Sequence, residues 1–228
     1  MERVIIIGGS EGLWLALSKQ YLRGGGEVIC ISRKKPDIDV IHLPTDLTDK
    51  ESIEKTIQTI QEDYSEFLTL ISCAGIGYIE NIQHMDRDHT KQTFDVNVIG
   101  QSLLLWGIIE NIKNNNADVI FVGATIGYKG NEFMPMYSVS KRWTRGLIEN
   151  IRLSLKNSSC RVIGVSPWWM NTESNIGLEG RETHISEITG NPIGKLLDVN
   201  KVAEFIFSLT QLPKNMEISE VIINNKKT

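Results

Sequence analysis

Tyr137 and Lys141 stand four residues apart in the run Tyr-Ser-Val-Ser-Lys, a spacing that puts phenol and ammonium on one helix face, one turn apart. An ammonium so placed favours the phenolate and lowers a phenol pKa that is about 10 when unperturbed. Such a tyrosine can give or take a proton near neutral pH. The pair alone does not establish chemistry, because any helix can carry it as a solvated surface pair. A second chemical feature lies near the start of the chain. Gly8-Gly9-Ser10-Glu11-Gly12-Leu13-Trp14 follows an apolar run and opens a helix. Glycines there let the backbone approach a pyrophosphate, which sits on free N–H groups at the positive helix end. The competing reading is a tight turn that binds nothing. After the second apolar run comes Ser32-Arg33-Lys34-Lys35, with no acid where one would hold a ribose hydroxyl. Basic residues there suit a 2'-phosphate and tilt the expected dinucleotide towards NADP over NAD, although a solvated basic turn explains them as well.

These groups need elements to hold them, and the apolar pattern supplies the candidates. Short β-branched runs at 4–7, 28–31, 40–43, 68–71, 119–122, 162–165 and 221–223 read as strands buried on both faces. Ile53, Ile57 and Ile60 recur at helix spacing after Thr48-Asp49-Lys50-Glu51, which has the form of a capping box. Val202, Phe205, Ile206 and Leu209 repeat the pattern behind a capping Asp198, and Leu147, Ile151 and Leu155 continue the helix that begins near Tyr137. Strands alternating with helices predict an α/β protein of one domain over 1–228: a three-layer, doubly wound (Rossmann) fold around a mostly parallel seven-stranded sheet. Residues 168–195 lack periodicity and are rich in Gly, Asn, Thr and Glu, the pattern of a lid over a substrate or cofactor site.

Composition narrows the class. With 41% hydrophobic and 23% charged residues among 228, the chain reads as an ordinary soluble globular protein. A net charge of −4 gives no general electrostatic reason to expect nucleic acid or an anionic membrane as partner. The N-terminus shows no targeting pattern, and no apolar run approaches the roughly 20 residues that span a bilayer. Cys30, Cys73 and Cys160 are odd in number and lie in or beside strand-like runs, which predicts reduced thiols in a cytoplasmic protein. His42, His84, His89 and His184 show no metal-ligand spacing, so no metal is expected. Trp106, inside the apolar stretch 103–109, is expected in the core or at a subunit interface.

In this order the motifs resemble those of the short-chain dehydrogenase/reductases, compact one-domain Rossmann oxidoreductases, from about residue 4 to residue 223. The family's glycine turn is matched by Gly8, Ser10, Gly12 and Leu13, and its adenine-contacting acid with the apolar residue after it by Asp46-Leu47. Its Asn-Asn-Ala-Gly segment is matched by Ser72-Cys73-Ala74-Gly75, its catalytic asparagine by Asn97, and its nicotinamide-binding motif by Pro167 and Thr172. The resemblance implies hydride transfer between a nicotinamide cofactor and a small carbonyl or alcohol substrate. Tyr137 would protonate the carbonyl oxygen, Lys141 would lower its pKa and hold the nicotinamide ribose, and Asn97 would help fix a proton-relay water. It also implies helices paired across a two-fold axis, in a homodimer or homotetramer.

Several positions depart from the family pattern. The serine expected thirteen residues before the tyrosine is Ala124, and losing such a donor typically costs on the order of 10² to 10³ in rate. Thr125 substitutes only if the loop is rotated, because neighbours in an extended segment point opposite ways. Trp14 replaces the turn's third glycine, and Trp168, followed by Trp169, replaces the glycine after Pro167. These indoles either fill the site, leaving no cofactor, or pack outward. Ser72 and Cys73 in place of two asparagines imply lost polar contacts. The main expectation is an NADP-dependent reductase with an altered, working site. The alternative is a catalytically weak or inactive relative that acts as a cofactor-binding, scaffold or regulatory protein, and a smaller possibility is an elimination or epimerisation on the same fold.

Overall fold

The protein is described by a computed structural model covering residues 2–8, 11–172 and 196–226. Strands β1 (Arg3–Ile7), β2 (Glu27–Ser32), β3 (Ile41–Pro44), β4 (Thr69–Ser72), β5 (Asp118–Val122), β6 (Val162–Pro167) and β9 (Glu220–Ile223) form one sheet in the order β3-β2-β1-β4-β5-β6-β9. Every neighbouring pair is parallel. Parallel strands are covered on both faces, and that is why their sequences are nearly continuous apolar runs. Val4, Ile5 and Ile6 are all at 0% exposure although they point alternately to opposite faces.

Two helical layers do the covering. On one face α1 (Leu13–Arg23) and α7 (Val199–Thr210) pack Trp14, Leu17 and Tyr21 with Val202 and Ile206 against Val4, Ile6 and Ile120. On the other, α2 (Lys50–Asp63), α4 (Gln101–Gly107), α5 (Ile109–Asn114) and α6 (Pro135–Leu155) bury Ile53, Ile60, Leu104, Ile112 and Ile148 against Ile5, Leu70 and Val119. A short α3 (Arg87–Phe94) leads through a wide π-helical turn, Asp95–Gly100, into α4. The chain runs outward one way from β1 and the other way from β4, so a cleft opens between the carboxyl ends of these neighbours, where ligands of doubly wound sheets bind.

Several boundaries differ from the sequence expectation. Helix α2 is capped by Asp49, whose carboxylate accepts the Glu51 N–H at 3.1 Å, and not by Thr48. Thr48 is already engaged: its N–H and hydroxyl both donate to Asp46, at 2.9 and 2.8 Å. The Asp198 cap is as expected, accepting the Asn200 N–H at 2.8 Å. Strand β4 starts one residue late, at Thr69, although Leu68 already bonds Arg3 and Asp118 through its backbone. A two-stranded pair, β7 (Met170–Asn171) with β8 (Leu197–Asp198), is too short to leave a periodic signal. Trp106 is 76% exposed, which excludes the core. The three cysteines are free thiols, Cys30 buried and the other two half-buried. No helix among the described residues is long and apolar enough to cross a membrane. Of the expected lid, 173–195 lies outside the described residues.

Candidate active site

The glycine turn follows directly from β1. Gly12 takes φ +69°, a conformation L side chains rarely adopt, and a Cβ there would stand 3.2 Å from the Thr172 side chain. Gly12 also begins α1 with no side-chain cap hydrogen bond among the described residues, an arrangement that can present the first N–H groups of that helix to an anion. Leu13 is buried beneath the turn and Ser10 lies outside the described residues. Trp14 does not project into the cleft: it is 2% exposed within the α1-side core, its Cδ1 3.2 Å from where a Gly8 Cβ would stand. Its indole N–H has no hydrogen-bond partner among the described residues.

Beyond the turn, Arg33 is exposed just after β2 and Asp46 is half-buried after β3. Donation from the Thr48 backbone N–H, and to a smaller extent the charge of Arg33, holds the Asp46 carboxyl below its usual range. Leu47 packs its carbonyl against Gly100, where no side chain fits. Ala74 is buried after β4, whereas Gly75 and Gly77 are exposed.

Helix α6 brings in the two titratable groups. The Tyr137 ring lies against Gly77, whose added Cβ would come within 2.7 Å of Cγ and Cδ2. Lys141 is 5% exposed; its Nζ donates to the Val122 carbonyl at 3.1 Å and lies 3.0 Å from where a Gly75 Cβ would stand. The ammonium is 5.7 Å from the Tyr137 ring centroid. Burial pushes the phenol up to about 12 and the ammonium down to about 8. The expected lowering of the tyrosine is therefore not found. Burial is the largest influence on both groups.

Asn97 sits in the π turn with its whole carboxamide engaged. Oδ1 accepts the Ile76 N–H at 2.8 Å, and Nδ2 donates to the Ile76 carbonyl at 2.8 Å and to Ser140 Oγ at 2.9 Å. Ser140, fully buried, donates in turn to the Tyr137 carbonyl at 2.8 Å. Asn97, Gly75, Tyr137 and Lys141 thus form one constellation. Ala124 is extended, and Thr125, half-buried, opens the 3-10 turn Thr125–Tyr128 that packs through Gly127 on the Lys141 backbone. Pro167 ends β6 beside Ile223. Trp168, half-buried, donates its N–H to the Ile223 carbonyl at 2.7 Å, and the half-buried Trp169 accepts from Leu197 at 2.9 Å.

The expected loss of polar contacts at Ser72 and Cys73 is not found either. Ser72 donates to the Gln101 side-chain oxygen, Gln101 Nε2 donates to the Ala74 carbonyl at 3.2 Å, and Cys73 Sγ donates to the Ile7 carbonyl at 3.2 Å. Sequence reading missed Gln101 and Ser140. Their available signals were positional: Gln101 follows Asn97 by one helical turn, and Ser140 adjoins Lys141.

A sequence model for the family described as short chain dehydrogenase matches residues 2–183. The chain belongs to the short-chain dehydrogenase family. It is 23% identical over 219 residues to carbonyl reductase family member 4 of Danio rerio, spanning 92% of this chain and 91% of that one. It is 25% identical over 215 residues to an NADP-dependent (R)-specific alcohol dehydrogenase of Lentilactobacillus kefiri, across 87% and 85% of the two chains. The solved structure of ElxO with NADP bound has the same fold, with a TM-score of 0.81, 17% identity and 97% of each chain covered. This oxidoreductase presents a helix start with no side-chain cap among the described residues, behind a left-handed glycine at the sheet's switch point. That arrangement fits the phosphates of a nicotinamide dinucleotide.

Proposed function

We propose that the protein is an NADP-dependent reductase of a small carbonyl compound. The observation that carries the reading is the constellation itself: Lys141 Nζ lies 5.7 Å from the Tyr137 ring centroid, and Asn97 is tied through Ser140 to the Tyr137 carbonyl. A protonated phenol so placed can give its proton to a carbonyl oxygen, as carbonyl reduction needs. The nicotinamide supplies the hydride. Gly8, Ser10, Gly12 and Leu13 hold its phosphates, Arg33 the 2'-phosphate, Asp46, Leu47, Ala74 and Gly75 the adenosine side, and Lys141, Pro167 and Thr172 the nicotinamide end. Tyr137 gives its proton to the carbonyl oxygen, Lys141 orients the ribose, and Asn97 fixes the wall formed by Ile76. Thr125, which opens the 3-10 turn directly after Ala124, is the residue placed to offer the hydroxyl that Ala124 lacks. NADP is favoured over NAD by exposed Arg33 near Asp46 and by the cofactor named for the alcohol dehydrogenase relative.

Ala124 favours a second reading, a weak or inactive member that binds cofactor without turnover. Tyr137→Phe separates the two. On the reductase reading it lowers kcat by about 10² to 10⁴ while NADPH affinity and the fold persist. Equal activity in variant and wild type would refute the assigned proton donor. We further propose a homodimer through α4 and α6, supported by exposed Trp106 and Leu153; the mass in solution tests it.

A further inference from the structure

Gln101 is 6% exposed, and its carboxamide lies at a junction of three segments. Nε2 faces the carbonyls of Ala74 at 3.2 Å, Val96 at 3.2 Å and Asn97 at 3.1 Å. Three acceptors on one side require the nitrogen there, so the oxygen faces Ser72, whose hydroxyl donates to it. Val96 and Asn97 belong to the π turn, so Gln101 ties that turn to the segment after β4.

The consequence reaches Lys141. Gln101 holds the segment after β4 at the Ala74 carbonyl, and Asn97 holds it two residues later at both the N–H and the carbonyl of Ile76. Gly75 lies between these two anchors and forms the wall against which Lys141 Nζ rests. We propose that Gln101, clamped by Ser72, is a positioning residue that fixes the Gly75 wall and the Asn97 carboxamide around Lys141. The inference rests on the reductase reading for its kinetic consequence, and on geometry alone for its effect on Lys141.

Gln101→Met keeps the side-chain length and removes the amide. The primary readout is the titration of Lys141 in folded protein without cofactor, followed by NMR of lysine labelled at its side-chain carbons. In the variant the wall relaxes, water reaches the ammonium, and the titration midpoint moves upward from its wild-type value. With NADPH and a carbonyl substrate, kcat falls on the order of 10-fold, while the KM for NADPH is unchanged. A folded variant with an unchanged Lys141 titration overturns the proposal, even if its melting temperature is lower. If Gln101→Met does not fold, Ser72→Ala, which removes one hydroxyl, gives the decision by the same titration: a raised midpoint supports the clamp and an unchanged one overturns it. Because the titration needs neither substrate nor cofactor, a wild type that reduces no carbonyl would refute the reductase reading while this test still decides the role of Gln101.

Discussion

Lys141 carries a large electrostatic cost within the site, because its ammonium is almost fully buried against a neutral carbonyl and a glycine wall. A fall from 10.5 to about 8 corresponds to roughly 3 kcal/mol of destabilisation of the charged form. Below pH 8 folded and unfolded chains both hold this proton, and the full cost is present. Between about 8 and 10.5 the unfolded chain keeps a proton that the folded chain has released, so stability from this group rises with pH. Lys141→Met is therefore expected to raise the melting temperature by several degrees at pH 7, with the gain shrinking as pH approaches 10.5. Thermal melts at pH 7 and 10 check this; a variant less stable at pH 7 would contradict the buried-cation account. The pairing of Tyr137 with Lys141 was legible in four-residue spacing. Its pKa pattern was not, because spacing reports which side chains share a face and says nothing about how dry that face is.

Helices and strands were legible where burial is two-sided or regularly periodic, as in β1, β5, α2 and α7. Reading failed where competing hydrogen bonds or facing direction decide. Thr48 loses the cap of α2 to Asp49 because Asp46 claims its hydroxyl first. The stretch around Trp106 has apolar character that core and interface share, and only packing shows that Trp106 faces outward with Ile99, while Val139 and Leu153 do so from α6. These exposed apolar side chains are what support the proposed subunit contact through α4 and α6. The purified chain is expected to be a dimer by light scattering, and Trp106→Glu to shift it towards monomer with its circular dichroism spectrum unchanged. A monomeric wild type, or a variant that stays dimeric, would contradict the assignment of this face.

At the scale of the molecule, the alternation of strands and helices was the most readable feature, and the strand order of the folded sheet decides where chemistry can occur. Because all strands are parallel and the strand order switches its direction of progress between β1 and β4, the glycine turn, the Ala74–Gly75 wall, the Ala124–Thr125 turn and Thr172 gather at one end of the sheet, although they are scattered along the chain. Non-local ties such as Ser72 to Gln101, 29 residues apart, leave no periodic trace and appear only when the elements are packed. The same packing answers part of the doubt about the turn: Trp14 is absorbed by the core under α1, and the helix start above it has no side-chain cap among the described residues. The most direct test is calorimetric titration of the purified protein with NADPH and, separately, NADH at one stated salt concentration. The account predicts micromolar binding of NADPH, weaker binding of NADH, and loss of both in Gly12→Val. No heat and no thermal shift with either dinucleotide would contradict it, and would point to a chain that keeps the family's fold without its cofactor.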